Sequence, residues 1–271
     1  MSKKTRLMLV DNPKILFKTL CSINQDFITL SNFKKKLENE LGREKPIHIK
    51  TAHTYFYTAT IYGLLIKLEE IKTKPTYRLS ATAIYICNML NLKKQYEYKE
   101  AVKTLILTNK KKGELFNQFL NYVSSPKIIN DIYNKFEEPT GKTLIAWCLE
   151  AGLIVKHDNF IGLARKEPED MPSIDEFWSA LKKIYTLMQK TAFFGVKRIF
   201  IDLEEIRLRV LCDLGVSDPN YFDFALNNLL ESEFNNYVTL DGAPSLAYDN
   251  EKYSFSYKGK NFLYISLGIN K

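Results

Sequence analysis

Cysteine, histidine, glycine and proline are all scarce in this chain. Four cysteines are scattered over 271 residues, at Cys21, Cys87, Cys148 and Cys212. No pair has metal-ligand or C-x-x-C spacing, and a disulfide scaffold would need denser, clustered cysteine. The only histidines are His48, His53 and His157, which excludes a zinc-finger reading. With 11 Gly and 9 Pro the chain is neither low-complexity nor collagen-like. Long apolar runs are missing too. After the basic start Met1–Arg6, the stretch Leu7 to Val10 is too short for a signal peptide. The strongest apolar stretch elsewhere, Ile61 to Ile66, falls far short of the roughly 20 residues a membrane span needs. These absences describe a soluble, cytoplasmic protein with no membrane partner.

Catalytic signatures are equally thin. Pro139-Thr140-Gly141-Lys142-Thr143 has the tail of a phosphate-binding loop, but Phe136 stands where the motif needs its first glycine. Glu137 and Glu138 would also put acids where phosphates lie. Asp202, Glu204, Glu205 and Asp241 are carboxylates a nuclease would want. The first three fall at a helix start, where acids satisfy backbone N–H groups without any catalytic role. Cys148 lies in a Trp-Cys-Leu run that reads as buried, not as a nucleophile paired with His157. No HExxH, GxSxG or glycine-rich dinucleotide loop occurs. No cofactor or metal is implied, and the reading is of a non-enzyme.

What the chain does have is unevenly placed charge. Residues 1–112 hold 22 Lys/Arg against 9 Asp/Glu, a net of +13. Residues 113–271 hold 17 against 22, a net of −5. A basic part attracts polyanions, and an acidic part is repelled by them. The asymmetry suggests a nucleic-acid-facing front and a differently employed back; a compositional bias toward Lys, Asn and Ile is the alternative.

Periodicity divides the chain into three segments. In the first, 1–81, Asn12-Pro13 opens a helix with Ile15, Leu16, Leu20 and Ile23 on one face. Phe27-Ile28-Thr29 reads as an extended link. Ser31 then caps a helix carrying Phe33, Leu37 and Leu41, which Gly42 closes. A third helix follows Pro46, over about 48–62, with Ile49, Ala52, Phe56 and Ala59 or Thr60 as its buried side. Leu64–Leu68 and Tyr77–Leu79 are strand-like, separated by the basic turn Lys72-Thr73-Lys74-Pro75. The second segment, 82–166, is mostly helical, with a break at Lys110–Gly113. Thr140 caps a helix to about Ala151, followed by strands around Asp158-Asn159. Gly63-Leu64-Leu65-Ile66-Lys67 is echoed 89 residues on by Gly152-Leu153-Ile154-Val155-Lys156. Each glycine ends a helix and turns the chain into an apolar strand. The best linker is Glu167–Pro172. In the third segment, 173–271, Ser173 caps a helix to Lys190 with Phe177, Leu181, Ile184, Tyr185 and Met188 as its stripe. Val196–Ile201 is strand-like, Asp202 caps a helix to Leu214 with Ile206, Val210 and Leu214 buried, and a helix with Phe222, Leu226, Leu229 and Leu230 follows Pro219. Strands are expected at Tyr237–Leu240, Tyr253–Tyr257 and Phe262–Ser266.

The order helix, short strand, helix, helix, strand, turn, strand resembles the winged helix-turn-helix superfamily. The likeness is topological and can be drawn three times, giving a mainly α fold with small β-hairpins built of tandem winged helix-turn-helix units. It implies a basic DNA-binding domain over 1–81, a second unit in 82–166 and an assembly domain over 173–271. It also implies that the helix after Pro46 enters the major groove while the hairpin touches the backbone. On this chain that helix offers Lys50, Thr51, His53, Thr54 and Tyr57. Lys72, Lys74 and Arg78 lie on the wing, and Lys34, Lys35 and Lys36 on the preceding helix. Most of these would be phosphate contacts, which position rather than specify; the alternative is an ordinary solvated face. Lys93, Lys94, Lys99, Lys103 and Lys110–Lys112 form a second basic patch, with the same alternative. The last segment's candidate helix carries Asp218, Asp223, Glu231 and Glu233 and no base, so it suits a protein partner or a homo-oligomer. Its surplus aromatics fit that role or a filled core. The expectation is a double-stranded DNA-binding protein. It would serve as a transcription regulator, a replication or partition factor, or a subunit of a mobile-element or antiviral-defence complex. A winged-helix protein–protein adaptor and a metal-dependent nuclease are the alternatives.

Overall fold

A computed structural model of the chain describes residues 10–23, 27–42, 46–68, 75–110, 112–165, 171–190, 199–242 and 253–268. These residues are predominantly helical, with small antiparallel sheets of two or three strands. They form two units. One comprises the chain up to Tyr122 with Asn130–Ile154, the other Val123–Ile129 with Val155 onward.

The first unit is built by local rules that are easy to follow. In α1 (Pro13–Cys21), Asn12 Oδ1 accepts the Ile15 N–H at 3.2 Å, and Pro13 occupies a first-turn position whose N–H would be unpaired anyway. The next helix, α2 (Leu30–Glu40), is capped by Thr29 and not by Ser31: Thr29 Oγ1 accepts from Asn32 N at 3.3 Å. The reason is the extended residue before it. Ile28 exchanges backbone hydrogen bonds with Tyr77, at 2.7 and 2.9 Å, and the chain can turn helical as soon as that pairing ends. After α3 (Ile49–Ile61) come β1 (Leu65–Lys67) and β2 (Tyr77–Leu79), antiparallel, with Leu65 opposite Leu79 and Ile66 opposite Arg78. This is a helix-and-wing arrangement. Five more helices follow: α4 (Ala81–Asn91), α5 (Gln95–Leu107), α6 (Gly113–Tyr122), α7 (Ile129–Phe136) and α8 (Glu138–Glu150). The expected start of α8 at Thr140 is corrected. Pro139 in the first turn starts it earlier, after Glu137 at φ 64°.

Trp147 on α8 organises this unit's core. It is fully buried, and its indole N–H donates to the Val10 carbonyl at 2.8 Å. Phe17 meets it edge-on at 5.9 Å and Tyr62 stacks on it at 4.7 Å. The echo between Gly63 and Gly152 is real in three dimensions. Both have left-handed φ, 66° and 65°. In each, the N–H of the following leucine reaches back five residues, Leu64 to Ala59 and Leu153 to Cys148, both at 2.8 Å. That bond defines a Schellman turn, which only glycine makes without Cβ strain.

One finding corrects the reading of four isolated cysteines. Cys21, the last residue of α1, is disulfide-bonded to Cys87 on α4, with Cα atoms 5.0 Å apart. Cys148 and Cys212 are free and buried.

In the second unit β3 (Lys127–Ile128), β4 (Ile154–His157) and β5 (Phe160–Leu163) form a sheet in the order β3-β5-β4. The chain continues through α9 (Ile174–Lys190), β6 (Ile201–Asp202), α10 (Leu203–Leu214) and α11 (Tyr221–Leu230). A 3-10 turn spans Glu233–Tyr237. It is followed by β7 (Val238–Asp241), β8 (Phe255–Tyr257), β9 (Lys260–Phe262) and β10 (Tyr264–Leu267). β10 sits between β6 and β7, and β8 pairs with β9. Asp202 caps α10 by accepting the Glu204 N–H at 2.9 Å. The predicted stripes of α9, α10 and α11 are all buried together in one core. Most of the linker at 167–172 and half of the strand expected at Val196–Ile201 lie outside the described residues. Among the described residues no helix is long and apolar enough to cross a membrane.

Candidate nucleic-acid interface

The helix singled out by sequence, α3, is held by three local devices. His48 caps it, its Nδ1 accepting from Lys50 N at 3.2 Å. Ala52, Tyr55, Phe56 and Ala59 recur at helical spacing and are buried. Phe56 is gripped edge-to-face by Phe33 of α2 at 5.3 Å and by Tyr77 of β2 at 4.8 Å. The aromatic trio therefore fixes α3 against both the preceding helix and the wing. Of the expected buried residues Ala52, Phe56 and Ala59 are buried, whereas Ile49 in the first turn is 45 % exposed; Tyr55 is buried as well.

Lys50, Thr51, His53 and Tyr57 are exposed on α3, and Thr54 is half-buried. Tyr57 is 54 % exposed. Thr54 is not free to donate outward: its hydroxyl donates to the Lys50 carbonyl at 3.0 Å. It can accept a hydrogen bond, which a phosphate oxygen cannot supply. On α2, Lys35 and Lys36 are exposed, whereas Lys34 is half-buried and 3.5 Å from Glu38. Glu38 also accepts the Ile47 N–H at 3.0 Å, so this carboxylate ties the α2–α3 connection and occupies Lys34. Arg78 is exposed on β2. Among the described residues no carboxylate pairs with Lys35, Lys36, Lys50 or Arg78. Lys72 and Lys74 lie outside the described residues, as do Lys197 and Arg198.

A cleft of about 500 Å³ brings the first turn of α3 beside the first turn of α8, a juxtaposition that sequence reading missed. Lys50, Thr51 and Thr54 line it from α3 and Glu138, Lys142 and Thr143 from α8, and Asp11 lines it too. Lys142 is 2.5 Å from Glu138, and the hydrogen bond to that carboxylate holds its ammonium above the usual lysine range. Lysine and carboxylate balance here, so the cleft is a polar joint and not an anion pocket. The Gly-Lys-Thr of the apparent phosphate loop lies inside α8, where Gly141 leaves room for the ring of Tyr133.

The second basic patch is partly self-neutralised: Lys94 lies 3.9 Å from Glu97 and Lys103 2.9 Å from Glu100. Two arginines of the second unit are engaged internally. Arg207 lies over the Tyr253 ring at 4.1 Å. Arg209 pairs with Glu205 at 2.8 Å and covers Phe160 at 4.6 Å. The aromatics there also have work inside: Tyr221, Phe222 and Phe255 are buried, and Phe234, Tyr253, Tyr257 and Phe262 pack against them. Tyr253 donates to Asp223; burial, followed by that hydrogen bond, pushes the phenol well above its ordinary range. Phe224 and Tyr237 remain exposed.

Several of the carboxylates and thiols named as catalytic candidates are engaged in the fold. Asp202 is a helix cap and Glu205 an ion-pair partner. Burial pushes the Cys148 thiol far above its ordinary range, the reverse of an activated nucleophile. His157 is buried, with Nε2 2.6 Å from the Val216 carbonyl. Among the described residues no three His, Cys, Asp or Glu side chains cluster as metal ligands would. Comparison with protein families, with curated proteins and with solved structures gives no match to this chain.

Proposed function

We propose that the first unit is a winged helix-turn-helix module that binds double-stranded DNA, with α3 facing the duplex and the β1–β2 wing beside it. The observation that carries this reading is the two-sided character of α3. One side is locked into the core through Phe56, and the other presents Lys50, His53 and Tyr57 to solvent. Arg78, Lys35 and Lys36 add exposed positive charge on the neighbouring wing and helix. Lys50, Arg78, Lys35 and Lys36 are the phosphate-contacting set, and His53 and Tyr57 meet base edges or sugar. Lys34, committed to Glu38, contributes less. The second unit serves assembly, with a second copy or another protein, through surfaces that include Phe224 and Tyr237.

Titration of a labelled duplex at several salt concentrations tests this. Four or five neutralised phosphates give a log K against log salt slope of about −4. No duplex binding at about 50 mM salt, where the phosphate term is strongest, rejects the reading.

An adaptor function is the second reading, and one observation favours it. Ile84, Tyr85, Leu92 and Tyr96, on α4, the turn and α5, are all about half exposed or more. Clustered exposed apolar residues mark protein-binding surfaces. Recovery of a stoichiometric partner that Tyr96→Ser and Leu92→Ser abolish, with no duplex binding, would favour it over the first.

A further inference from the structure

We propose that the Cys21–Cys87 disulfide is a reversible modification site that exchanges with an anionic low-molecular-weight thiol of the glutathione class, and that its state sets the grip of the first unit on DNA. The last clause rests on the nucleic-acid reading above; the exchange itself does not.

The argument starts from what the bond encloses. It joins the end of α1 to α4 across 66 positions of sequence, and α2, α3, β1 and β2 all lie inside that loop. Every described residue of the proposed duplex-facing set is therefore within one covalent ring. The two sulfurs are not equally reachable. Cys87 is buried, at 7 % exposure, whereas Cys21 is partly exposed at a helix end. Lys18, one turn before Cys21, is exposed and draws in an anionic thiol. The other cysteines do not compete. Cys148 is buried, and burial holds the Cys212 thiol up at about 12. In a reducing compartment a disulfide of this kind serves sensing and not permanent stapling.

The chemistry balances as thiol–disulfide exchange. An external thiolate attacks Sγ of Cys21; the Cys21–Cys87 bond breaks, Cys87 leaves as thiolate and takes a proton from solvent. A second external thiolate attacks the outer sulfur of the mixed disulfide. Cys21 leaves as thiolate and is protonated, and the two external thiols depart as one small disulfide. Closing runs the same steps backward, consuming the small disulfide and returning two thiols.

The test uses the full chain, equilibrated with oxidised or reduced glutathione, unfolded in alkylating reagent and weighed intact. Two labels are expected after oxidation and four after reduction, interconverting with the thiol ratio. The reduced form should melt about 5–10 °C lower, since it loses the loop closure. It should bind duplex about fivefold more weakly. Cys21→Ser should give three labels and a melting point indifferent to glutathione. Four labels after oxidation, or two after full reduction, overturns the exchange without any variant having to fold. Equal duplex affinity in the two states overturns the coupling. Absence of duplex binding in both states removes the nucleic-acid reading and leaves the label count to decide the exchange.

Discussion

The two units differ in net charge and in how some of their cations are held. The first carries 24 Lys/Arg against 14 Asp/Glu, a net of +10, and the second 15 against 17, a net of −2. Net charge is the smaller part of the contrast. In the first unit several bases stand in solvent with no described carboxylate partner: Lys35, Lys36, Lys50 and Arg78. In the second, Arg207 and Arg209 are laid over aromatic rings and their Nε atoms are shut off from solvent. Charge that is exposed and unpaired is available to a polyanion at no cost in broken contacts. Charge stacked on a ring has already been desolvated and would have to be withdrawn from the fold. Counting lysines and arginines along a sequence cannot distinguish the two.

Core substitutions set the scale on which the comparison can be broken. Trp147→Ala removes the side chain that meets Phe17 and Tyr62, and it is expected to cost about 3–5 kcal/mol of stability. Phe222→Ala in the second unit removes a fully buried ring of the same kind and should cost a similar amount. Urea unfolding of both variants checks this. A cost below 1 kcal/mol for Trp147→Ala would mean that the ring does not organise the core as described.

Next in size is the charge contrast itself. The double change Lys50→Ala with Arg78→Ala should weaken duplex binding about tenfold or more at 0.1 M salt and flatten the salt slope by about 2. Arg207→Ala with Arg209→Ala removes the same formal charge from the second unit. It should lower stability and leave both affinity and slope alone. Parallel titrations decide it: equal effects of the two pairs would erase the distinction between exposed and stacked cations.

Backbone effects come third. Gly63 has φ 66° and open space around its missing Cβ, so Gly63→Ala isolates the left-handed penalty, about 1 kcal/mol, in the urea midpoint. No loss would mean the turn relaxes. This turn was legible in the sequence, as were the stripes of α9, α10 and α11, the helix start at Asn12-Pro13 and the cap Asp202. All are decided within one or two helical turns of chain. Features decided by distant residues were not legible. The Cys21–Cys87 bridge has no local spacing to betray it. Glu38 is an ordinary charged residue until Ile47 presents its N–H and Lys34 its ammonium. Thr29 and Ser31 are equally good caps on paper, and the pairing of Ile28 with Tyr77 chooses between them. The candidate site was legible as a helix and a set of bases. Which of those bases are occupied, and that α8 lies beside α3, required the fold.

The smallest effect belongs to the second unit and concerns pH. Glu176 closes a capping box on α9: its carboxylate accepts the Ser173 N–H at 2.8 Å, and Ser173 Oγ accepts the Glu176 N–H at 3.2 Å. Arg165 adds an ion pair at 3.2 Å. The backbone hydrogen bond, followed by Arg165, holds the Glu176 carboxyl below its ordinary range. A carboxyl depressed in the folded state stabilises the fold at pH values above its unfolded pKa. That contribution fades as pH falls through the folded value. Because the group is exposed, solvent screening keeps the contribution under about 1 kcal/mol. Glu176→Gln should therefore lower the urea midpoint slightly at pH 7 and converge with the wild type below about pH 4, near the ordinary glutamate range. A difference that persists unchanged into strong acid would assign the loss to packing at the helix start and not to the charge that Ser173 and Arg165 hold there.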